Sequence, residues 1–241
     1  MPAAPSAAGM DLIARAVEDA LAGRPHPVGL ERDDGLIVEL PAAAFLDASA
    51  GPHEEALLAH ARGEVLDAGC GAGRLALPLQ AAGLHVVGLD LSPGLCDVCR
   101  RRGLREVREG DVWRDLGGPW DTILLGNNNL GIGGDVTGAG RLVAHLAAAL
   151  RPGGAILATS LDVTMTTEPQ HLAYHARNRR AGRDVGAVRL RVLYRAVRGP
   201  WFDWVHVAPA ELAELAAGAG LTAALGPLQP SGNYGAVLRR P

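Results

Sequence analysis

The chain contains no lysine. All 23 of its basic residues are arginine, set against 26 acids for a net charge of −3 over 241 residues. That balance gives no global attraction for nucleic acid or for an anionic membrane, so neither is expected as a partner. Because Ala, Gly, Arg and Pro are all abundant, the missing lysine reads as genome composition rather than function. Three cysteines, an odd number, argue against a disulfide framework. Cys96 and Cys99 form a lone CxxC without the second pair of ligands a zinc site wants, and no metal is expected. No apolar run approaches the ~20 residues of a membrane helix. Met1–Met10 lacks both the basic region and the apolar stretch of a secretory signal, so the expected location is the cytoplasm. Hydrophobic content of 48% and charged content of 20% are globular values. The length fits one domain, residues 1–241, with room for an insertion.

What is present begins with Val65-Leu66-Asp67-Ala68-Gly69-Cys70-Gly71-Ala72-Gly73. A short apolar run ends in an acid, followed by three glycines at alternate positions and then an apolar segment able to open a helix. Glycine lets the backbone turn sharply and approach a ligand closely. Seventeen positions after Gly73, the run His85–Leu89 ends in Asp90, placed to accept from the hydroxyls of a ribose. A dinucleotide turn needs a third glycine where this chain has Arg74, and Asp67 before the turn would repel a pyrophosphate. A carboxylate there suits a cation, such as the amino group and sulfonium of S-adenosylmethionine (SAM).

This pattern resembles motif I of the class I SAM-dependent methyltransferases. The resemblance implies an α/β fold, a seven-stranded mostly parallel sheet with helices on both faces (Rossmann-like), and SAM as cofactor. Carried onto this chain, Asp67, Ala68, Gly69, Cys70 and Gly71 would hold the methionine part, Asp90 the ribose, and Leu91 the adenine face. Arg108-Glu109-Gly110-Asp111-Val112 supplies the family's third acid, with Asp111 for the adenine amino group and Val112 for the ring. Read alone, Asp90 or Asp111 could equally cap the following helix.

Strand-like and helix-like runs alternate from Glu64 onward, as a parallel sheet requires. Strands are expected at Glu64–Ala68, His85–Leu89, Glu106–Glu109, Asp121–Leu125 and Ala155–Ser160, with helices at Leu75–Ala82, Gly94–Arg102 and Gly140–Leu150. Pro209–Ala217 reads as a further helix, and Leu221–Leu225 and Tyr234–Leu238 as a closing strand pair. Residues 1–62 form an N-terminal arm or lid: a loose start to Gly9, a helix at Asp11–Leu21, a hairpin of Val28–Glu31 and Leu36–Leu40 around Arg32-Asp33-Asp34-Gly35, and a short helix at His53–Ala61. After the fifth strand an α+β insert, residues 161–207, has a helix at Glu168–Gly182 and strands at Ala187–Val197 and Trp201–Val207, and it is expected to cap the acceptor.

The fourth strand runs into Asn127-Asn128-Asn129, at the sheet edge where open α/β folds bind ligands. Asn127 and Asn128 are candidates for the cofactor's amino group, with a plain polar turn as the alternative. His171 and His175 stand four apart on one helical face and are the candidate bases. Eight arginines fall between Arg177 and Arg198, and among them Arg191 and Arg195, with nearby Trp201, are the expected substrate contacts for an acidic small molecule. A solvated face, or an RNA surface in an RNA or ribosome methyltransferase, are the rival readings of that charge run. A SAM-binding regulator without catalysis is the third. A monomer or homodimer acting on a small-molecule substrate is expected.

Overall fold

The computed structural model describes residues 3–48, 51–114 and 116–241. Helix α1 (Ala7–Leu21) leads into strands β1 (Val28–Arg32) and β2 (Ile37–Leu40), then helix α2 (Pro52–Leu58). The core follows as β3 (Glu64–Ala68), α3 (Ala76–Ala81), β4 (His85–Asp90), α4 (Pro93–Arg101), β5 (Glu106–Glu109), β6 (Trp120–Leu125), α5 (Val136–Ala148) and β7 (Leu150–Leu161). The insert contributes α6 (Pro169–Arg180), β8 (Ala187–Tyr194), β9 (Val197–Arg198) and β10 (Phe202–Val205). Helix α7 (Pro209–Gly218) and strands β11 (Thr222–Leu225) and β12 (Asn233–Arg239) complete the chain.

Seven strands form one sheet in the order β11-β12-β7-β6-β3-β4-β5. Only β12 runs antiparallel to its neighbours, which makes the closing pair expected from sequence. The two-residue period of the strands sorts the core into two layers. Leu66, Ile123 and Ile156 face the side where α5 brings Leu142 and Leu146, while Val65, Leu124 and Leu157 face the side of Leu79 and Cys99.

Element ends depart from expectation where side chains cap the backbone. Helix α1 starts at Ala7, not Asp11, because the Ser6 hydroxyl accepts from the Gly9 amide. The supposedly loose start is therefore tied down from Ala3 onward, where Ala3 and Asp203 exchange two hydrogen bonds. Helix α5 starts at Val136, not Gly140, because the Asp135 carboxylate accepts from the Gly138 amide. Leu150, expected to end that helix, instead opens β7 opposite Trp120. The long strand expected to reach Val197 breaks after Tyr194, since Arg195 adopts φ +54° and folds the chain back as β9.

A second sheet was not foreseen. β10, β8, β1 and β2 pair antiparallel in that order, with β9 on β8, so the N-terminal hairpin and the insert are one structure. Leu30 lies between Val192 and Val38 in this ladder. Helix α1 joins the two sheets. Leu12 and Ala16 pack with Val28, Val192 and Phe202 of the second sheet, while Ala14 and Val17 pack with Leu95 and Val98 of α4. Both faces of α1 are thus buried, and each large side chain so placed contributes roughly 1.5–3 kcal/mol.

Candidate active site

The turn after β3 is held from outside. Asn129, 9% exposed, donates through Nδ2 to the carbonyls of Ala68 and Gly69, both at 3.0 Å. Gly69 has φ +83°, and a Cβ there would overlap the Asn129 amide, so only glycine fits. Asp90 closes the turn from the next strand. Its Oδ2 accepts from the Gly71 amide at 2.8 Å and its Oδ1 from the Ser92 amide at 2.9 Å. The helix-capping alternative for Asp90 does not hold, because Ser92 is the N-cap of α4; one Asp90 oxygen shapes the Gly-rich turn and the other accepts from the Ser92 amide.

Two clefts meet at Gly69. One, of about 130 Å³, runs along Asp90, Leu91, Asp111 and Val112, roofed by Ala4 and Pro5 of the N-terminal segment and by Trp204 of β10. Asp111 Oδ1 accepts from the Trp113 amide at 2.9 Å, which orders the turn after β5. The other cleft, about 50 Å³, is lined by Asp67, Cys70, Gly71, Arg74 and Asn127. Asp67 is 3% exposed, and burial together with the neighbouring Asp90 charge pushes its carboxyl up to about 7. Burial likewise pushes Asp90 upward, against the two amides that stabilise its charge. Arg74 forks onto Glu54 of α2. Burial would raise Glu54, but the guanidinium holds it below its usual range. The position that spoils a dinucleotide turn thus anchors the N-terminal arm to the Gly-rich turn.

The sequence-expected cofactor residues mostly converge here, with two exceptions. Ala68 lies outside both clefts and contributes its carbonyl to Asn129. Asn128 also lies outside both clefts: it adopts φ +61° and donates its backbone amide to Thr159 Oγ1 at 2.9 Å. Sequence reasoning passed over Asn129, the buried member of the triplet, because nothing in three consecutive asparagines tells which one turns inward.

A third cavity, about 760 Å³, opens between the end of β7, the second sheet and α6. Its wall includes Leu161, Asp162, Val188 and Leu190, with both candidate histidines, His171 and His175, on α6. Leu161 stands two residues beyond Thr159, roughly 7 Å along the strand, so the cavity adjoins the asparagine turn at the carboxyl edge of the sheet. His175 is 6% exposed, and its ring makes no hydrogen bond among the described residues. Burial pushes its pKa down, with Arg179, His171 and Arg32 acting in the same direction. His206, also in the wall, is pushed down to about 4 by burial, and its Nδ1 has no partner among the described residues.

Arg32 was read only as part of a turn, yet it is the one arginine in this wall and is 7% exposed. The expected substrate contacts lie elsewhere. Arg191 sits opposite Glu31 in the ladder, forks onto it at 2.8 and 2.9 Å, and stacks 4.4 Å from the Trp201 ring. The parity that groups Arg189 with Arg191 turns them away from the cavity, while Val188 and Leu190, of the opposite parity, line it. Arg195 is beyond the strand altogether and pairs with Asp19 of α1 at 2.9 Å. Among the described residues no group of three or more metal-binding side chains occurs, and no helix is long and apolar enough to cross a membrane.

Residues 65–154 match the methyltransferase domain family. Over 98% of this chain and 97% of the other, the fold is similar to a SAM-dependent methyltransferase of Bacteroides fragilis solved with S-adenosyl-L-homocysteine, with 25% identity and a TM-score of 0.80. The CcbJ methyltransferase of Streptomyces caelestis is similar at 20% identity and TM-score 0.59, covering 83% of this chain and 87% of its own. CalS10, an amino pentose methyltransferase of Micromonospora echinaspora solved with SAM, is similar at 22% identity and TM-score 0.56, covering 83% and 95%. The likeness supports S-adenosyl-L-methionine as the cofactor. With an acid-ended Gly-rich turn, a sheet closed by one antiparallel strand, and these likenesses, the chain has the Rossmann-like fold of SAM-dependent methyltransferases, with a methyltransferase domain matched over residues 65–154.

Proposed function

We propose that the enzyme methylates a small, partly apolar amine bound in the 760 Å³ cavity. Asp67 would hold the cofactor's ammonium group, Asp90 its ribose, and Asp111 with Val112 its adenine. Bound there, SAM supplies an electrophilic methyl group on a cationic sulfur. The chain's own part is alignment, exclusion of water and removal of one proton. His175 is the group for that last task, since burial keeps it neutral and able to take the proton that an ammonium must lose before its nitrogen can attack.

The observation that carries the amine is the charge of the cavity wall. Arg32 is its only arginine, and that guanidinium is already forked onto Asp34 at 2.8 and 2.7 Å. Asp162 and Glu168 have no ion-pair partner among the described residues and leave the wall with negative charge to spare. An acidic acceptor, the expectation from the arginine run, would meet no free cation there. The same pairing argues against RNA. Arg177, Arg189, Arg191, Arg195 and Arg198 each lie within 4.0 Å of an acid, so the run does not present a continuous basic stripe. An amine also agrees with the amino pentose named for CalS10.

The test is release of S-adenosylhomocysteine from SAM over matched sets of small amines, alcohols and carboxylates. Turnover confined to carboxylates or to RNA would sink the proposal. With an amine that is turned over, His175→Ala should keep cofactor affinity and lose at least ~10²-fold in rate.

A further inference from the structure

The two histidines of α6 are not equivalent, and the difference is set from outside the helix. Nη1 of Arg32 lies 3.0 Å from Nδ1 of His171. A guanidinium has five N–H groups and no lone pair to offer, so it can only donate. His171 Nδ1 must therefore be the acceptor, which leaves the ring proton on Nε2. Arg32 cannot easily turn away, because its other groups are occupied. Nε and Nη2 fork onto Asp34, and Nη2 also donates to the Gln170 carbonyl at 3.2 Å. Its Cζ lies over the Tyr174 ring, 4.0 Å from the centroid. Tyr174 is fixed in turn, donating to Asp33 Oδ1 at 2.7 Å, and Arg177 reaches the same carboxylate. Two consecutive acids of the β1–β2 turn thus clamp α6.

We infer that Arg32 locks His171 as a fixed Nε2–H donor in the wall of the acceptor cavity. The inference deepens the proposed function and rests on it for the meaning of the cavity, though not for the lock itself. Its first consequence is a division of labour. The Nε2 of His171 makes no hydrogen bond among the described residues, but it carries the proton and has no lone pair to take another. His171 is thereby excluded as base, and His175, whose ring is not so pinned, keeps that role. Its second consequence concerns the acceptor. The group that meets His171 must bring an oxygen or nitrogen lone pair, such as a hydroxyl or ether oxygen beside the amine. Arg32 is a positioning residue here, acting on the acceptor only through His171.

The test reads the tautomer directly. Nitrogen-15 NMR of the labelled full-length protein, with His171 assigned by its loss in His171→Gln, should show a protonated Nε2 and a bare Nδ1. Arg32→Lys retains a pure donor and should keep that state. Arg32→Gln, whose amide can donate or accept, should give a mixture of tautomers. A proton on Nδ1 in the wild type overturns the lock, as does an unchanged single tautomer in Arg32→Gln. Should that variant not fold, the wild-type spectrum decides alone. The cavity-facing consequence is read by calorimetry on the protein saturated with S-adenosylhomocysteine. Trans-2-aminocyclohexanol should bind severalfold more tightly than cyclohexylamine, and His171→Leu should erase the difference. Equal affinities in the wild type overturn that consequence. Absence of any methyl transfer, with the tautomer as expected, would instead count against the proposed function.

Discussion

Asp67 carries the most instructive prediction. It is 3% exposed beside Asp90, and burial with that second charge moves its carboxyl from 3.8 to about 7. In the proposed role Asp67 holds the cofactor's ammonium as a carboxylate, so affinity should follow the ionised fraction. With a midpoint near 7 that fraction is roughly nine-tenths at pH 8 and one-tenth at pH 6, a loss of about tenfold in affinity on acidification. The same shift acts on the free protein with the opposite sign. Between about 4 and about 7 the folded state holds a proton that the unfolded chain has released, so stability falls as pH rises through that window. The full span of about 3 pH units corresponds to about 4 kcal/mol lost by pH 8. Asp67→Asn should therefore melt higher than the wild type at pH 8 without ligand, while binding SAM weakly and without pH dependence. Calorimetry at pH 6, 7 and 8, in buffers of different ionisation enthalpy, gives both the affinity and the released proton. Flat wild-type affinity across that range, or an Asn variant that binds as well as wild type at pH 8, would refute the assignment.

Asp90→Asn places an NH2 where a carboxylate oxygen accepts from Gly71 or Ser92, so it should cost about 1–3 kcal/mol of stability by denaturant titration and also weaken SAM at least about tenfold. Asp203→Ala removes the 2.6 Å bond that holds the Ala3 amide, loosening the segment whose Ala4 and Pro5 roof the cleft along Asp90 and Asp111. Cofactor dissociation measured by stopped flow should speed up severalfold, with the melting temperature little changed. Arg191→Lys should lower the melting temperature by losing the fork on Glu31 and the stacking on Trp201, and leave the acceptor KM unchanged. A raised KM in that variant would return Arg191 to the acceptor site.

The Gly-rich turn and the clefts beside it were legible because their information is local. Asp67, Gly69 and Gly71 lie within five consecutive positions, and a strand that ends in an acid announces both its direction and its exposed edge. Asp90 and Asp111 repeat that signal at the next two strand ends. The acceptor end was illegible for the converse reason. Gly29 to Arg32 pair with Leu193 to Leu190, about 160 residues along the chain, and no short-range pattern announces such a ladder. Without it, the arginine parity of β8 could not be oriented, and the face turned to solvent and to Glu31 was taken for the face turned to substrate. Arg32 was hidden by its setting, since Arg-Asp-Asp-Gly is what a hairpin turn looks like whether or not its arginine points inward.

The composite second sheet also bears on how the two sites are coupled. Trp204 of β10 lines the cleft along Asp90 and Asp111, and its ladder partner Val188 lines the 760 Å³ cavity, so one cross-strand pair belongs to both walls. Ala3 is bonded to the residue before Trp204, and α1 packs against both β8 and α4. A shift of the N-terminal segment is therefore expected to reach the strand whose partner lines the 760 Å³ cavity. The arrangement predicts an order of binding, cofactor first and acceptor second, since Ala4, Pro5 and Trp204 of β10 line one cleft together. Product-inhibition kinetics distinguish the cases. S-adenosylhomocysteine should compete with SAM and be noncompetitive against the acceptor, whereas a random order would let the acceptor bind the cofactor-free enzyme with unchanged affinity.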